Sequence, residues 1–299
     1  MISVIMPAFN AGAYITESIA SVIAQTYPYW ELIIIDDGST DDTAAIVKQL
    51  IGNDTRIKYL YQQNGKQGKA RNLGLQNSTG EYIAFLDADD KWMPDKLAIQ
   101  LNILSADKNI DLLFTQGYKL TDLHVEIFDV NVKDTWDFND LPAFIHQNQI
   151  PILSVIVRRR ALLKANCFAE DADIQNAEDY YLWLTLLGNN CKFKSINNRL
   201  FYYRIHQQQS TYQNNHLNLP IVNMLSLFYN SSENGIRFYK NIIERIKWFL
   251  FDDNLKEKVF TLIKAISKKE NKIIYLILRL ISPFPSKKFS LAFKLAPSI

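Results

Sequence analysis

The sequence predicts an α/β fold built on a mainly parallel central sheet. Through the first hundred residues short β-rich runs alternate with helically spaced apolar residues, the signature of βαβ units. Those runs are apolar without interruption, as strands covered on both faces must be. Polar clusters follow three of them directly, where open α/β sheets bind ligands, beyond the carboxyl ends of the strands.

The elements follow in order. "ISVIMPA" reads as the first strand, and Ile15, Ile19, Val22 and Ile23 mark the helix after it. "ELIIID" is the second strand, with Ile46, Val47, Leu50 and Ile51 on its helix. "RIKYLY" precedes a helical segment through Ala70 and Leu73, and "EYIAFL" precedes Pro94, Leu97, Leu101 and Leu104. From about Asp107 the alternation becomes less regular: "DLLFTQGYKL", a strand "SVIV", a helix "EDYYLWLTLLG" and a final β segment "FKSINNRLFYYRIH". Beyond this, Tyr239, Ile243, Ile246 and Leu250 have amphipathic helical spacing, and Pro283 and Pro285 stop the pattern. The expected parts are residues 1–105, 106–215 and 216–299, the last a helical extension.

The 299 residues are 48% hydrophobic and 21% charged, which is globular usage and argues against disorder. No run approaches the ~18 apolar residues of a membrane span, and Arg279 interrupts the run Ile273 to Leu278. The start lacks the basic head and cleavage site of a signal peptide, so a cytoplasmic location is expected. Cys167 and Cys191 have no metal or redox spacing and fit a reducing compartment. The net charge of +2 hides a division: residues 236–299 carry 14 Lys and Arg against 5 Asp and Glu, and residues 1–235 carry 19 against 26. No nucleic-acid partner is expected.

Four clusters invite chemistry. In "IIIDDGSTDDT", Ser39 or Thr40 can cap a helix, with Asp41 and Asp42 complementing its positive end. That leaves Asp36 and Asp37 at the strand's end, and Asp37 is the better acceptor for the N–H of a bound base. "DADD" places Asp87, Asp89 and Asp90 directly after a buried strand. Two carboxylates about 5 Å apart repel by roughly 3 kcal/mol at an effective dielectric of about 20. Alternate residues of an extended chain point the same way, so Asp87 and Asp89 can converge on one cation while Asp90 turns aside. Mg²⁺ or Mn²⁺, held by few carboxylates plus substrate phosphates, suits so sparse a set. "NGKQGKARNLGL" offers Lys66, Lys69 and Arg71 without the ending of a Walker A loop. In "NAEDYYLWL", Glu178 and Asp179 at a helix start serve the dipole or a reaction equally well. His206 in "YYRIH", taken alone, is more often structural than a ligand, and Arg158 to Arg160 read as a solvated strand-to-helix junction.

With these residues on view, the chain resembles the family 2 glycosyltransferases, whose fold is called GT-A. The resemblance rests on "SVIMPAFNAGAYITESIASVIAQTYPYWELIIIDDGSTDDT", "NGKQGKARNLGLQNSTGEYIAFLDADD", "EDYYLWL" and "YYRIH", in the family's order over roughly residues 1–206. It implies a Rossmann-like nucleotide-binding half fused to an acceptor-binding half. It further implies inverting transfer of a sugar from a nucleotide diphosphate, usually a UDP-sugar, to a hydroxyl of a glycan or lipid-linked acceptor, in surface polysaccharide biosynthesis.

By motif position, Phe9 would lie against the base, with Pro7 and Asn10 beside it, and Asp37 would accept the N3–H. Arg71 would reach toward the diphosphate. Asp87, Ala88 and Asp89 would form the Asp-x-Asp motif, with Asp89 the direct metal ligand, Asp87 nearer the ribose or a metal-bound water, and His206 approaching the metal. Asp179 would be the general base, and Glu178 and Trp92 would face the acceptor.

The sequence departs from its family in places. "NCFAED" stands where relatives often carry Gly-Gly-Phe, and Thr185 where they often carry Arg. The Gln-x-x-Arg-Trp motif of processive synthases is absent, so one sugar per encounter is expected. The basic tail has two readings, docking on an anionic membrane surface or a helical cap packed on protein. Two competing readings are a sugar-phosphate nucleotidyltransferase, whose Gly-rich N-terminal signature "PAFNAGAYI" does not supply, and a non-catalytic nucleotide-sugar-binding protein.

Overall fold

The computed structural model describes residues 1–209, 218–252 and 254–271. Its chain forms two compact units, Met1–Leu217 and Asn218–Ile299. The first unit is built on one sheet. Strands β1 (Ile2–Ala8), β2 (Trp30–Asp36), β3 (Ile57–Tyr61) and β4 (Tyr82–Phe85) pair in parallel in the order β3-β2-β1-β4. Helices α1 (Ile15–Ile23), α2 (Thr43–Ile51) and α3 (Lys66–Gln76) connect them. Every residue of β1, β2 and β4 is buried, which accounts for their continuous apolar runs.

Past β4 the sheet becomes mixed. The chain runs through β5 (Lys91–Trp92), α4 (Lys96–Ala106), β6 (Leu112–Leu120) and β7 (Val125–Phe128). It continues through α5 (Leu141–His146), β8 (Ile156–Arg158), α6 (Arg159–Lys164), α7 (Glu178–Gly188) and β9 (Phe193–Arg204). The strand β8 pairs antiparallel with both β4 and β6, β6 is parallel to β9, and β5 and β7 are antiparallel additions to β9 and β6. Both halves therefore share one continuous sheet.

Two contacts set the tightness of the parallel half. A Cβ on Gly74 of α3 would lie 2.6 Å from Ile5 Cγ2 and 2.8 Å from Ile35 Cδ1, so α3 rides directly on β1 and β2. Glu31, 6% exposed, gathers Ser3 Oγ, Thr79 N and Thr79 Oγ1 at 2.6–2.8 Å on one oxygen and Lys58 Nζ at 2.8 Å on the other. That carboxylate ties β1, β2, β3 and the turn before β4 together.

Two local expectations are corrected. Ser39 and Thr40 do not cap α2, which begins at Thr43; Asp41 accepts from the Thr43 N–H and hydroxyl instead, leaving Ser39 to accept from Asn10 N. The Arg158–Arg160 junction is not solvated throughout. Arg158 is 6% exposed, and its guanidinium donates to Ile110 O, Leu104 O and Tyr82 Oη, because it closes carbonyls at the end of α4.

In the second unit the described residues form helices Asn218–Ser231, Glu233–Arg237, Tyr239–Lys247 and Lys256–Glu270. Ile242, Ile243 and Ile246 are buried, as amphipathic spacing requires. The run Ile273 to Leu278 and the stops at Pro283 and Pro285 lie outside the described residues. No helix among those described is long and apolar enough to cross a membrane.

Candidate active site

The carboxyl ends of β1, β2 and β4 carry the polar clusters to one edge of the sheet, as parallel pairing in register demands. Pro7 is buried in β1, while Phe9, just past its end, leaves 51% of its surface exposed. Asn10 takes a left-handed φ of 50° and clips the two loops together, its Oδ1 accepting from Thr40 N at 2.8 Å.

Asp36 and Asp37 divide their work. Asp36 accepts from Tyr59 Oη and Ser39 N, which fixes the turn after β2. Asp37 is 4% exposed and accepts from Gln62 Nε2, Gly65 N and Lys66 N at 2.7–2.9 Å. About four acceptor positions exist on a carboxylate; three of those of Asp37 hold the start of α3, and the described residues leave one free. Lys66 and Lys69 remain exposed on α3.

Arg71 does not lie open toward a ligand. It is 3% exposed, donating to Asp87 Oδ1 at 2.8 Å and to Glu178 Oε1 at 2.6 Å. One guanidinium thus links the end of β4 to the first turn of α7. Asn72 adds a second link: its amide donates to Phe168 O and accepts from Phe168 N, which fastens the segment before α7 to α3. Phe168 in turn lies with its ring 5.5 Å from the Arg71 guanidinium.

The three acids after β4 separate as alternation predicts. Asp87 and Asp89 keep 30% and 24% of their side chains exposed, whereas Asp90 turns inward and accepts from Arg204 N at 2.7 Å. Burial and the charges of Asp89 and Asp87 hold the Asp90 carboxyl well above its ordinary range. Burial, with Asp89 and Glu178 adding to it against Arg71, also raises Asp87. Ser18 Oγ bonds the carbonyls of Ala88 and Asp90, so α1 supports the loop from below. Arg204 Nε donates to Asp89 O, and His206 Nε2 lies 3.0 Å from Asp89 Oδ2.

Asp89 and His206 suit a divalent cation in part. They are two facing donors of the right kind, and the second ring nitrogen of His206 is buried without a partner among the described residues. No group of three His, Cys, Asp or Glu side chains there could hold a metal unaided. Such a pair fits an ion completed by substrate oxygens.

Asp179 stands in the first turn of α7 and accepts from Tyr180 N at 2.6 Å. Burial first, and then the neighbouring Glu178, push its carboxyl up to about 7 against the pull of Arg71. A carboxylate titrating there is suited to take a proton near neutrality. The two side chains expected to face an acceptor are both buried. Glu178 is 3% exposed beneath Arg71. Trp92 is 4% exposed, with its indole N–H given to Leu153 O and Lys96 4.2 Å from its ring. Arg204, Asn72 and Phe168 were missed by sequence reasoning; their partners lie some hundred residues away, and no local pattern signals them.

Comparison with known proteins gives a consistent picture. The family model described as Glycosyl transferase family 2 matches residues 3–129. A putative teichuronic acid biosynthesis glycosyltransferase, TuaG of Bacillus subtilis, is 33% identical over 208 residues, 69% of this chain and 79% of the relative. The Escherichia coli protein WfgD, named a UDP-Glc:alpha-D-GlcNAc-diphosphoundecaprenol beta-1,3-glucosyltransferase, is 35% identical over 64% of this chain and 71% of its own. An uncharacterized glycosyltransferase of Rickettsia conorii is 33% identical over 77% of this chain, which covers only 37% of that protein's length; two further Rickettsia relatives are covered to 33% and 37%.

Among solved structures, S. aureus TarS 1-349 in complex with UDP superposes with a TM-score of 0.63 at 17% identity, over 94% of this chain and 91% of that one. The Pyrobaculum calidifontis mannosyltransferase PcManGT in complex with GDP-Man and Mn²⁺ does so at 0.61 and 15% identity, over 97% and 83%. At such identities the likeness shows the fold alone, an α/β fold of GT-A type.

Proposed function

The chain belongs to glycosyl transferase family 2, and from that premise we propose that it moves one sugar from a UDP-sugar to a hydroxyl of a lipid-linked or oligosaccharide acceptor, with inversion, in surface polysaccharide biosynthesis. Support comes from the names of TuaG and WfgD, which concern teichuronic acid and a diphosphoundecaprenol-linked acceptor. The observation that carries the reading is the meeting of two acids on one guanidinium: Arg71 holds Asp87 on one side and, through Glu178, the helix bearing Asp179 on the other.

In this reading Phe9 stacks on the base and Asp37 accepts its N–H with the position it keeps free. Asp89 and His206 hold Mg²⁺ or Mn²⁺, which when bound stabilises charge on the departing diphosphate. Asp87 lies toward the ribose side, fixed by Arg71. Arg71 does not touch the diphosphate; it positions carboxylates and adds positive potential beneath them. Asp179 takes the acceptor's proton as its oxygen bonds to the anomeric carbon and the carbon–phosphate-oxygen bond breaks. A single displacement inverts that carbon and needs no covalent enzyme intermediate. Positioned proton transfer of this kind contributes about 10²- to 10⁴-fold.

The test is Asp179→Asn, assayed for UDP binding, metal binding and transfer. UDP and Mn²⁺ affinities should stay unchanged while transfer falls by about 10²- to 10⁴-fold. In the unaltered protein kcat/KM should rise with pH, reach half its maximum near 7 and level off above that, since Asp179 must lose its proton to serve. Undiminished turnover in the variant removes Asp179 as base.

A further inference from the structure

The two donors read as a metal pair come from parts of the chain 117 residues apart, Asp89 after β4 and His206 after β9, and their 3.0 Å approach needs a common support. His206 lies in no regular element, and its Nδ1 is buried without a partner among the described residues. A metal-binding histidine ordinarily gives its second nitrogen to a carboxylate or carbonyl, which fixes the plane of the ring. Here the contact the ring makes is aromatic. Tyr14 lies against it with centroids 4.5 Å apart and planes inclined by 41°, within the range of attractive ring pairs.

The same tyrosine meets Arg204, whose guanidinium lies 4.9 Å from the ring centroid. Arg204 and His206 are alternate residues where β9 runs out, with Ile205 N between them still bonded to Leu120 O, so one ring can serve both. Arg204 in turn donates from Nε to Asp89 O and from its backbone N to Asp90 Oδ1. Both metal donors are thus referred to one side chain, His206 directly and the Asp89 loop through Arg204.

The start of α1 supplies the rest of the frame. Tyr14 O accepts from the backbone N–H of Glu17 and of Ser18, so the three have the i, i+3, i+4 spacing that puts side chains on one helix face. Glu17 Oε2 accepts from Arg204 Nη2 at 2.9 Å and from Lys91 Nζ at 3.2 Å. Ser18 Oγ reaches the carbonyls of Ala88 and Asp90 at 2.8 and 2.6 Å. Tyr14 is the member of this face that meets a donor's ring.

Resting on the reading of Asp89 and His206 as the metal pair, we propose that Tyr14 is a positioning residue for the divalent cation: its ring, and not its hydroxyl, holds the His206 imidazole where Nε2 faces Asp89. A ring held before the ion arrives leaves less to be ordered on binding, and the gain shows as metal affinity.

The test measures the Mn²⁺ affinity of the full chain with UDP present, from the EPR signal of the free ion, in Tyr14→Phe, Tyr14→Leu, His206→Ala and the Y14L/H206A pair. Leucine keeps an apolar, helix-favouring side chain at the start of α1. Removing a group that orients a metal ligand lowers affinity about 10- to 100-fold, so Y14L should bind Mn²⁺ about tenfold more weakly or worse, and Y14F should match the parent. With His206 gone the tyrosine has no imidazole to hold, and the added effect of Y14L should shrink to about threefold or less, the part that passes through Arg204. UDP affinity without metal should be alike in Y14L and the parent. Y14F as weak as Y14L, a Y14L effect undiminished on the H206A background, or equal losses of Mn²⁺ and metal-free UDP affinity in Y14L would each overturn the proposal. If H206A weakens Mn²⁺ binding and Y14L does not, only the positioning role has failed; if H206A binds Mn²⁺ as tightly as the parent, the metal reading fails with it.

Discussion

Glu31 does its work out of reach of any substrate. Three hydrogen bonds and the Lys58 ammonium outweigh its burial and hold its carboxyl down at about 2, against an ordinary 4.5. A carboxylate lowered on folding adds stability above its unfolded value, and that contribution disappears as pH falls from about 4.5 through about 2. Glu31→Gln should cost about 2–3 kcal/mol in urea unfolding at pH 7, and the difference from the parent should shrink as pH falls through that window. A flat difference would mean the network is not charge-assisted. At this scale the sequence revealed exposed acids far better than buried ones. Asp87, Asp89 and Asp90 sorted themselves by alternation alone, because the preceding strand fixed their directions. Glu31, Arg158 and Glu178 did not, because a buried charge is intelligible only once its distant partners are known.

Helix α3 is the element on which the site turns. Its buried face is Gly68, Ala70, Arg71, Asn72, Gly74 and Leu75, a stripe too polar to register as a core-facing pattern. Glycine at 74 lets that face descend onto Ile5 and Ile35, which in turn sets the height of Arg71 one turn earlier. Gly74→Ala adds a methyl where none fits, at a cost of about 1–3 kcal/mol, partly offset by the roughly 1 kcal/mol by which alanine favours a helix. We expect a lower thermal midpoint together with a raised KM for donor; a lower midpoint with unchanged KM would show that α3 can shift without moving Arg71. The strands β1 to β4 and their parallel pairing were legible because each βα unit is local. The mixed pairing of β6, β8 and β9 was not, since antiparallel insertion of a three-residue strand between β4 and β6 leaves no periodic trace.

The whole chain joins an acidic stretch, residues 1–235, to a basic one, residues 236–299, the latter falling within the helical unit that begins at Asn218. Lys240 and Lys258 are exposed on separate helices of that second unit. Each basic residue near an anionic surface contributes about 1 kcal/mol, so the K240E/K258E variant should bind phosphatidylglycerol vesicles at least tenfold more weakly than the parent. Raising the salt should erase the difference, and cosedimentation unaffected by either change would leave the basic helices to a packing role. The charge division was visible in the sequence, whereas the bridge between the halves of the first unit was not. Arg71 is a hinge-pin common to two doors, Asp87 and the helix that carries Asp179, so in the proposed reaction a shift of Asp87 on donor binding would pass to that helix. Linkage then makes the influence mutual, so whatever factor a bound donor applies to acceptor affinity, a bound acceptor must apply to the donor in equal measure.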